Sequence, residues 1–290
     1  MYKIIKTAEH YGHVLHKIEA IDTLAFGDIV VTPGTRGGWI ESKENLGPDA
    51  WVFDNAMVFG NAKVYDKAVV YGNAVIKDYA QVYGRAMVGG ESVISEHARV
   101  FGNAKIKNCA CVSGEAVVFG RACVLENAIV QDNARVLCGA VVTDNAIIAG
   151  EAVIGGNANI SDEAVVYGKV CDYALVYDSA HIGKTAKVFH HAIVCDNAII
   201  CGKVYGSALV RGEVYGTVKG ICMLGPDVII GKDVDFDCDV QIFDKLELKS
   251  NDDFVFVRCG AGKFLYVKSE DRFFGDDNEE VKKIIRCLKL

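Results

Sequence analysis

Three groups of side chains have the types and spacing that chemistry would need. Asp233, Asp235 and Asp237, followed by Asp239, alternate with Val234, Phe236 and Cys238. In an extended strand that alternation aims the carboxylates outward together, a geometry calcium could use. An EF-hand loop does not fit, because Cys238 stands where its glycine should be. The plainer reading is a solvated acidic strand, with Asp233, Asp235 and Asp237 as the metal candidates. In the second group, bases interleave with aromatics: Lys63-Val64-Tyr65, Gln81-Val82-Tyr83 and Arg99-Val100-Phe101, with Arg135 further on and Lys67, Arg85 and Arg121 beside them. Such a ladder of cations and flat rings suits an anionic polymer, a nucleotide or a sugar chain. It would equally stabilise a sheet by itself, with alkyl stems lying over rings. The third group is eleven cysteines, an odd number with no C-x-x-C pair. The closest spacing, Cys109-Ala110-Cys111, has no second pair at a zinc-ligand distance, so reduced structural thiols are expected.

The elements that must position these groups come from a repeat. From Ala50 to Ala164 every sixth residue is Ala, with Ser92 the one exception, and two places later stands Val or Ile, from Val52 to Val166. Small-x-aliphatic means that two alternate side chains point inward along a short strand while the residue between them points out. Gly, Asp or Asn behind each strand tolerates positive φ and turns the chain sharply. Strand and corner alternating every six residues is a β-solenoid. With three hexads per coil, residues 18 apart stack, and the outward positions sort cleanly. One column is Lys63, Gln81, Arg99, Val117 and Arg135. Another is Met57, Val75, Val93, Cys111, Ile129, Ile147, Val165, His181 and Ile199. A two-hexad coil would scramble both. The expected fold is therefore all-β, a triangular parallel solenoid of 18 residues per coil.

That architecture accounts for the composition. The 290 residues are 51% apolar, with 30 Gly, 3 Pro and a net charge of -7, and much of the apolar share is Ala and Val. A narrow prism has room for Ala at one inward site and a β-branched residue at the next. Roughly ten coils at about 4.8 Å give a rod near 50 Å. Residues 1-49 read as an N-terminal β cap, 50-243 as the solenoid, and 244-290 as a β-hairpin followed by an amphipathic helix with Val281, Ile284, Ile285 and Leu288 on one side. No apolar run is long enough to span a membrane, and Met1 to Lys6 lacks the core of a secretory signal, so a cytoplasmic location is expected. The column Met57, Val75, Val93, Cys111, Ile129, Ile147, Val165 and Ile199 is an apolar outer strip. A homo-oligomer, dimer or trimer, would cover it; the rival reading is that the terminal caps fold back over one face.

In Gly37-Gly38-Trp39-Ile40-Glu41-Ser42, leading through Glu44-Asn45-Leu46 to Ala50-Trp51-Val52, and in Arg272-Phe273-Phe274-Gly275, the chain resembles the YdcK-like hexapeptide-repeat proteins of bacteria and phages. The hexads also resemble the left-handed parallel β-helix of hexapeptide acyltransferases, although glycine comes one place later here. The resemblance implies a left-handed, single-stranded helix and two functions. One is a non-catalytic scaffold or binding protein without cofactor, phage or prophage encoded and binding a host protein. The other is an acyltransferase using acetyl-CoA or another acyl-CoA at a subunit boundary, with a histidine base drawn from His97, His181, His190 and His191. The loop that usually covers the acyl donor has no counterpart in the unbroken hexads. A three-histidine metal site would need histidines in neighbouring coils, and His97 lies far from the rest. The scaffold is the favoured reading.

Overall fold

The computed structural model describes residues 2–237, 239–259 and 262–275. It divides into two compact units, Met1–Asp162 and Glu163–Leu290. Among the described residues no helix is long and apolar enough to cross a membrane.

In the first unit each hexad forms a two-residue strand, and the strands stack in parallel at a register of 18 into three sheets. The aliphatic face carries Met57, Val75, Val93, Cys111, Ile129 and Ile147 on successive paired strands. Lys63, Gln81, Arg99, Val117, Arg135 and Val153 make the basic face. The mixed face carries Trp51, Val69, Met87, Lys105, Cys123, Val141 and Asn159. Three sheets per coil give the triangular section that the ladder of side chains implies. Inside, the Ala sites and the Val or Ile sites from Ala56 to Ile160 are all fully buried. At the one exception, Ser92, the hydroxyl donates to the Gly89 carbonyl at 2.9 Å, so its burial leaves no polar atom unpaired.

The corners follow from a count of backbone donors. Asn55, Met57 and Phe59 donate their N–H groups to Gly72, Ala74 and Ile76 of the next coil at 2.9, 2.9 and 3.0 Å, while Ala56 closes the corner on Phe53 at 3.1 Å. The residue at the bend has φ near +60°, as at Asp54, Asp66, Asp78 and Glu96, and its own N–H points away from that ladder. Where the preceding coil carries a carboxylate at the same corner, that carboxylate takes it. Asp54 accepts from Gly72 at 3.0 Å, Asp66 from Gly84 at 3.1 Å, Asp78 from Glu96 at 3.1 Å and Glu96 from Gly114 at 2.9 Å.

The start of this unit is antiparallel. Strand β1 (Tyr2–His10) pairs with β2 (His13–Ala20), and β2 pairs with β5 (Arg36–Ile40), which joins the aliphatic face in parallel with Met57–Val58. Between them β3 (Leu24–Phe26) and β4 (Ile29–Val31) form a separate hairpin turned at Gly27.

The second unit is also a three-sheet parallel solenoid, with shorter coils. Val165 stacks on His181 at 16 residues and Ile199 on Glu213 at 14, whereas Leu175 and Ile193 keep 18. The parallel ladder runs on to Leu246–Ser250, one further six-residue step beyond Val240 and Ile242, with Leu246 and Leu248 buried inward. Phe254–Cys259, Gly262–Val267 and Arg272–Phe274 then form a three-stranded antiparallel sheet. The helix expected over residues 276–290 lies outside the described residues.

Candidate binding faces

On the basic face the sequence ladder becomes two ring stacks flanking a column of cations. Tyr65, Tyr83, Phe101 and Phe119 stack on one another at 4.8, 4.7 and 5.0 Å, within 5° of parallel. On the other flank Tyr79 stacks on His97 at 4.9 Å. A groove of about 510 Å³ lies along this second flank, lined by Asn61, Lys63, Tyr79, Gln81, His97, Arg99 and Glu115. Lys63, Arg99 and Arg135 are exposed in the column, and Lys67, Arg85 and Arg121 are exposed at the corner past the four rings. Rings at these distances cover one another's faces and turn their edges outward. A base or sugar cannot slip between them, so binding on this face falls to the cations and ring edges. The Tyr65 hydroxyl donates to Gln81 Oε1 at 3.2 Å, and burial raises its pKa.

The aliphatic face is half-covered. Met57 and Val75 pack against the N-terminal cluster of Leu15, Trp39 and Phe59. Val93, Cys111, Ile129 and Ile147 follow in register, each half-buried, and in the second unit Val165 is half-buried and Ile199 exposed, with His181 stacked between them. The Cys111 thiol lies 3.6 Å from the Cys109 carbonyl, and burial, ahead of the nearby Cys109, pushes its pKa up, away from thiolate chemistry. On the mixed face Trp51 and Val69 are 1% and 3% exposed although they sit at outward positions. The β3–β4 hairpin lies across the second of them: Phe26, Gly27 and Ile29 share a cleft with Val69 and Met87.

The histidines are spread over different structural tasks. His190 occupies a left-handed corner, where its Nδ1 accepts the Gly206 N–H at 3.4 Å as a corner aspartate would. His191 stacks on Tyr173 at 5.2 Å, and His181 tilts against Tyr167 at 5.6 Å. Three further histidines, at a spacing of three residues, fall on the first hairpin. His13 Nδ1 donates to Glu41 Oε1 at 2.9 Å, and Glu41 Oε2 accepts the Gly60 N–H at 2.6 Å. His16 Nδ1 lies 2.9 Å from Thr7 Oγ1, and the His10 ring meets Trp39 edge-on. The spacing His10-x-x-His13-x-x-His16 was the available signal for this group.

The acidic strand holds a cation supplied by the chain. Asp235 and Asp237 flank Phe236, which is buried, and face out together toward Lys219 Nζ at 3.2 and 3.5 Å. The Asp235 hydrogen bond raises the Lys219 pKa. Asp233 is exposed at the end of the preceding strand. Asp178, Cys195 and Asp196 also lie within 4.8 Å of one another, but Asp196 already faces Arg211 Nε at 3.6 Å. The hydrogen bond to Cys195, with burial, pushes the Tyr177 phenol up to about 12. That makes the group a local polar network in which Arg211 faces Asp196.

The YdcK beta solenoid repeat matches residues 80–96. That segment holds the three strands of one coil, with Gln81–Val82 on the basic face, Met87–Val88 on the mixed face and Val93–Ile94 on the aliphatic face. That coil is similar to the YdcK beta solenoid repeat, and the chain as described is a β-solenoid. No curated protein matches it.

Proposed function

We propose that this chain is a non-catalytic β-solenoid scaffold that associates with copies of itself through the aliphatic face and offers the basic face to an anionic ligand or a host protein. The observation that carries the reading is the stack Val93, Cys111, Ile129, Ile147, four outward apolar side chains in consecutive coils. A flat, regular apolar stripe suits a second copy of the same stripe, as a dimer or trimer requires. Light scattering on the purified protein should report an oligomer. Val93→Asp and Ile129→Asp should convert it to a monomer with unchanged circular dichroism, because each places a charge in the middle of the buried stripe. A monomeric wild type overturns the self-association. Under this reading millimolar acetyl-CoA leaves the melting temperature unchanged. A rise that disappears on substituting His181 or His191 would replace the scaffold with an acyltransferase.

A further inference from the structure

We propose that the cleft beneath the β3–β4 hairpin binds a small organic phosphate, a phosphate monoester carried on an aromatic or aliphatic body. This goes beyond the scaffold reading: it joins two corner cations at the edge of the basic face, Lys67 and Arg85, to an apolar cleft on the mixed face. The cleft encloses about 290 Å³ and is lined by Phe26, Gly27 and Ile29 above and by Lys67, Val69, Arg85 and Met87 below. Its size is close to the lower end of small-molecule pockets, about 300 Å³.

Among the described residues the hairpin has no ladder partner outside itself, since β3 and β4 pair with each other. A lone two-stranded hairpin is marginal in water, so packing must hold it in place. Its base is pinned where Ala20 and Thr35, and Gly34 and Ala20, bond at 2.9 Å, and Val31 is fully buried. Beneath the tip the packing stops and the gap opens. The walls of this gap divide by chemistry. Phe26 and Ile29 face Val69 and Met87 as an apolar slot, whereas Lys67 and Arg85 stand at one edge on successive coils.

Successive coils put the stems of the two cations about 4.8 Å apart. Neither Lys67 nor Arg85 has an ion pair among the described residues, although the corner carboxylate beside them, Asp66, is already bonded to the Gly84 amide. Two unmatched like charges at that distance repel, and a dianion bridging them relieves the repulsion. A guanidinium and an ammonium side by side suit a phosphate, the first through paired donors and the second as a point charge. The apolar slot then selects for what the phosphate is attached to. Neither half suffices alone: the cations are too exposed to hold a bare anion firmly, and the slot is too small for a purely hydrophobic ligand to bind tightly.

The test is isothermal titration of the full chain with 1-naphthyl phosphate, inorganic phosphate and 1-naphthol. Saturable binding of the naphthyl phosphate with Kd below about 1 mM is expected, with at least tenfold weaker binding of the other two. Arg85→Gln and Lys67→Gln, both on exposed side chains, should each weaken it about tenfold. Met87→Trp, which fills the slot, should abolish it. Failure to saturate overturns the proposal, as does equal binding of inorganic phosphate or an unchanged Kd in Arg85→Gln. Because binding is read per chain, the result is independent of whether the aliphatic face pairs.

Discussion

A corner aspartate in this chain meets two demands at once, and substitutions can separate them. At Asp66 the backbone sits at φ 55° and the carboxylate accepts the Gly84 amide. Asn tolerates the left-handed conformation and keeps an acceptor, so Asp66→Asn should lower stability by less than about 0.5 kcal/mol. Gly relieves the backbone but leaves the amide to water, about 1 kcal/mol. Ala fails both demands, about 2–3 kcal/mol. Urea unfolding followed by tryptophan fluorescence measures all three, and a glycine variant as stable as the asparagine one would show that the cap contributes nothing. Glu41 makes the same kind of bond at the first coil and adds a pH dependence. The His13 hydrogen bond, with the Gly60 amide, holds its carboxyl below the ordinary value of 4.5. A depressed carboxyl stabilises the fold above its unfolded pKa and loses that contribution as pH falls through the folded one. The difference between wild type and Glu41→Gln should thus be about 1–2 kcal/mol near neutrality and shrink steadily below pH 4.5. A gap that persists into acid would assign the effect to packing instead. None of these caps is legible in the hexads, because the partner of each carboxylate is a backbone N–H in the next coil and leaves no residue type as its mark. The Lys219 pairing was within reach, since the ladder register places Lys219 opposite Asp237.

Strands and corners show where sequence reading succeeds. A prism with one small and one branched inward site per strand admits few residue types, so the six-residue register is written in the inward positions, and the coil length in the outward columns that stack 18 apart. Strand β1 escaped because its side chains are mostly exposed, with apolar Ile4 and Ile5 side by side and no alternation to betray it. The shortened corners carry a different rule. Where Val165–Val166 is followed at once by Lys169–Val170, the two residues between are Tyr167 and Gly168, and where Ile199–Ile200 precedes Lys203–Val204 they are Cys201 and Gly202. Neither glycine needs a positive φ. A Cβ on Gly168 would lie 2.6 Å from the Ala186 carbonyl oxygen and closer still to that of Gly183, and one on Gly202 would run into the Gly216 carbonyl. Cutting two residues from a corner presses the chain onto the next coil, and only glycine leaves room. Gly168→Ala should therefore cost about 2–3 kcal/mol, whereas Asn103→Ala, on an exposed full-length corner, should be nearly neutral. Equal thermal stability of the two variants would refute the close-approach account.

Across the whole molecule, two units built by one rule differ in how evenly they apply it. Stability in a stacked array is close to a sum of coil and neighbour terms, so a stretch of irregular coils is a place for unfolding to begin. The first unit keeps its 18-residue register throughout, while the second mixes steps of 14, 16 and 18. Both tryptophans, Trp39 and Trp51, lie in the first unit and are 7% and 1% exposed. Fluorescence thus reports that unit alone, whereas far-ultraviolet circular dichroism sums the strands of both. In a urea titration part of the dichroism should be lost before the tryptophan signal moves, the signature of non-two-state unfolding. Gly168→Ala should move that early step to lower urea and leave the fluorescence midpoint where it was, and Asp66→Ala should do the reverse. Coincident transitions in all three proteins would mean that a single cooperative array spans the short-cornered coils.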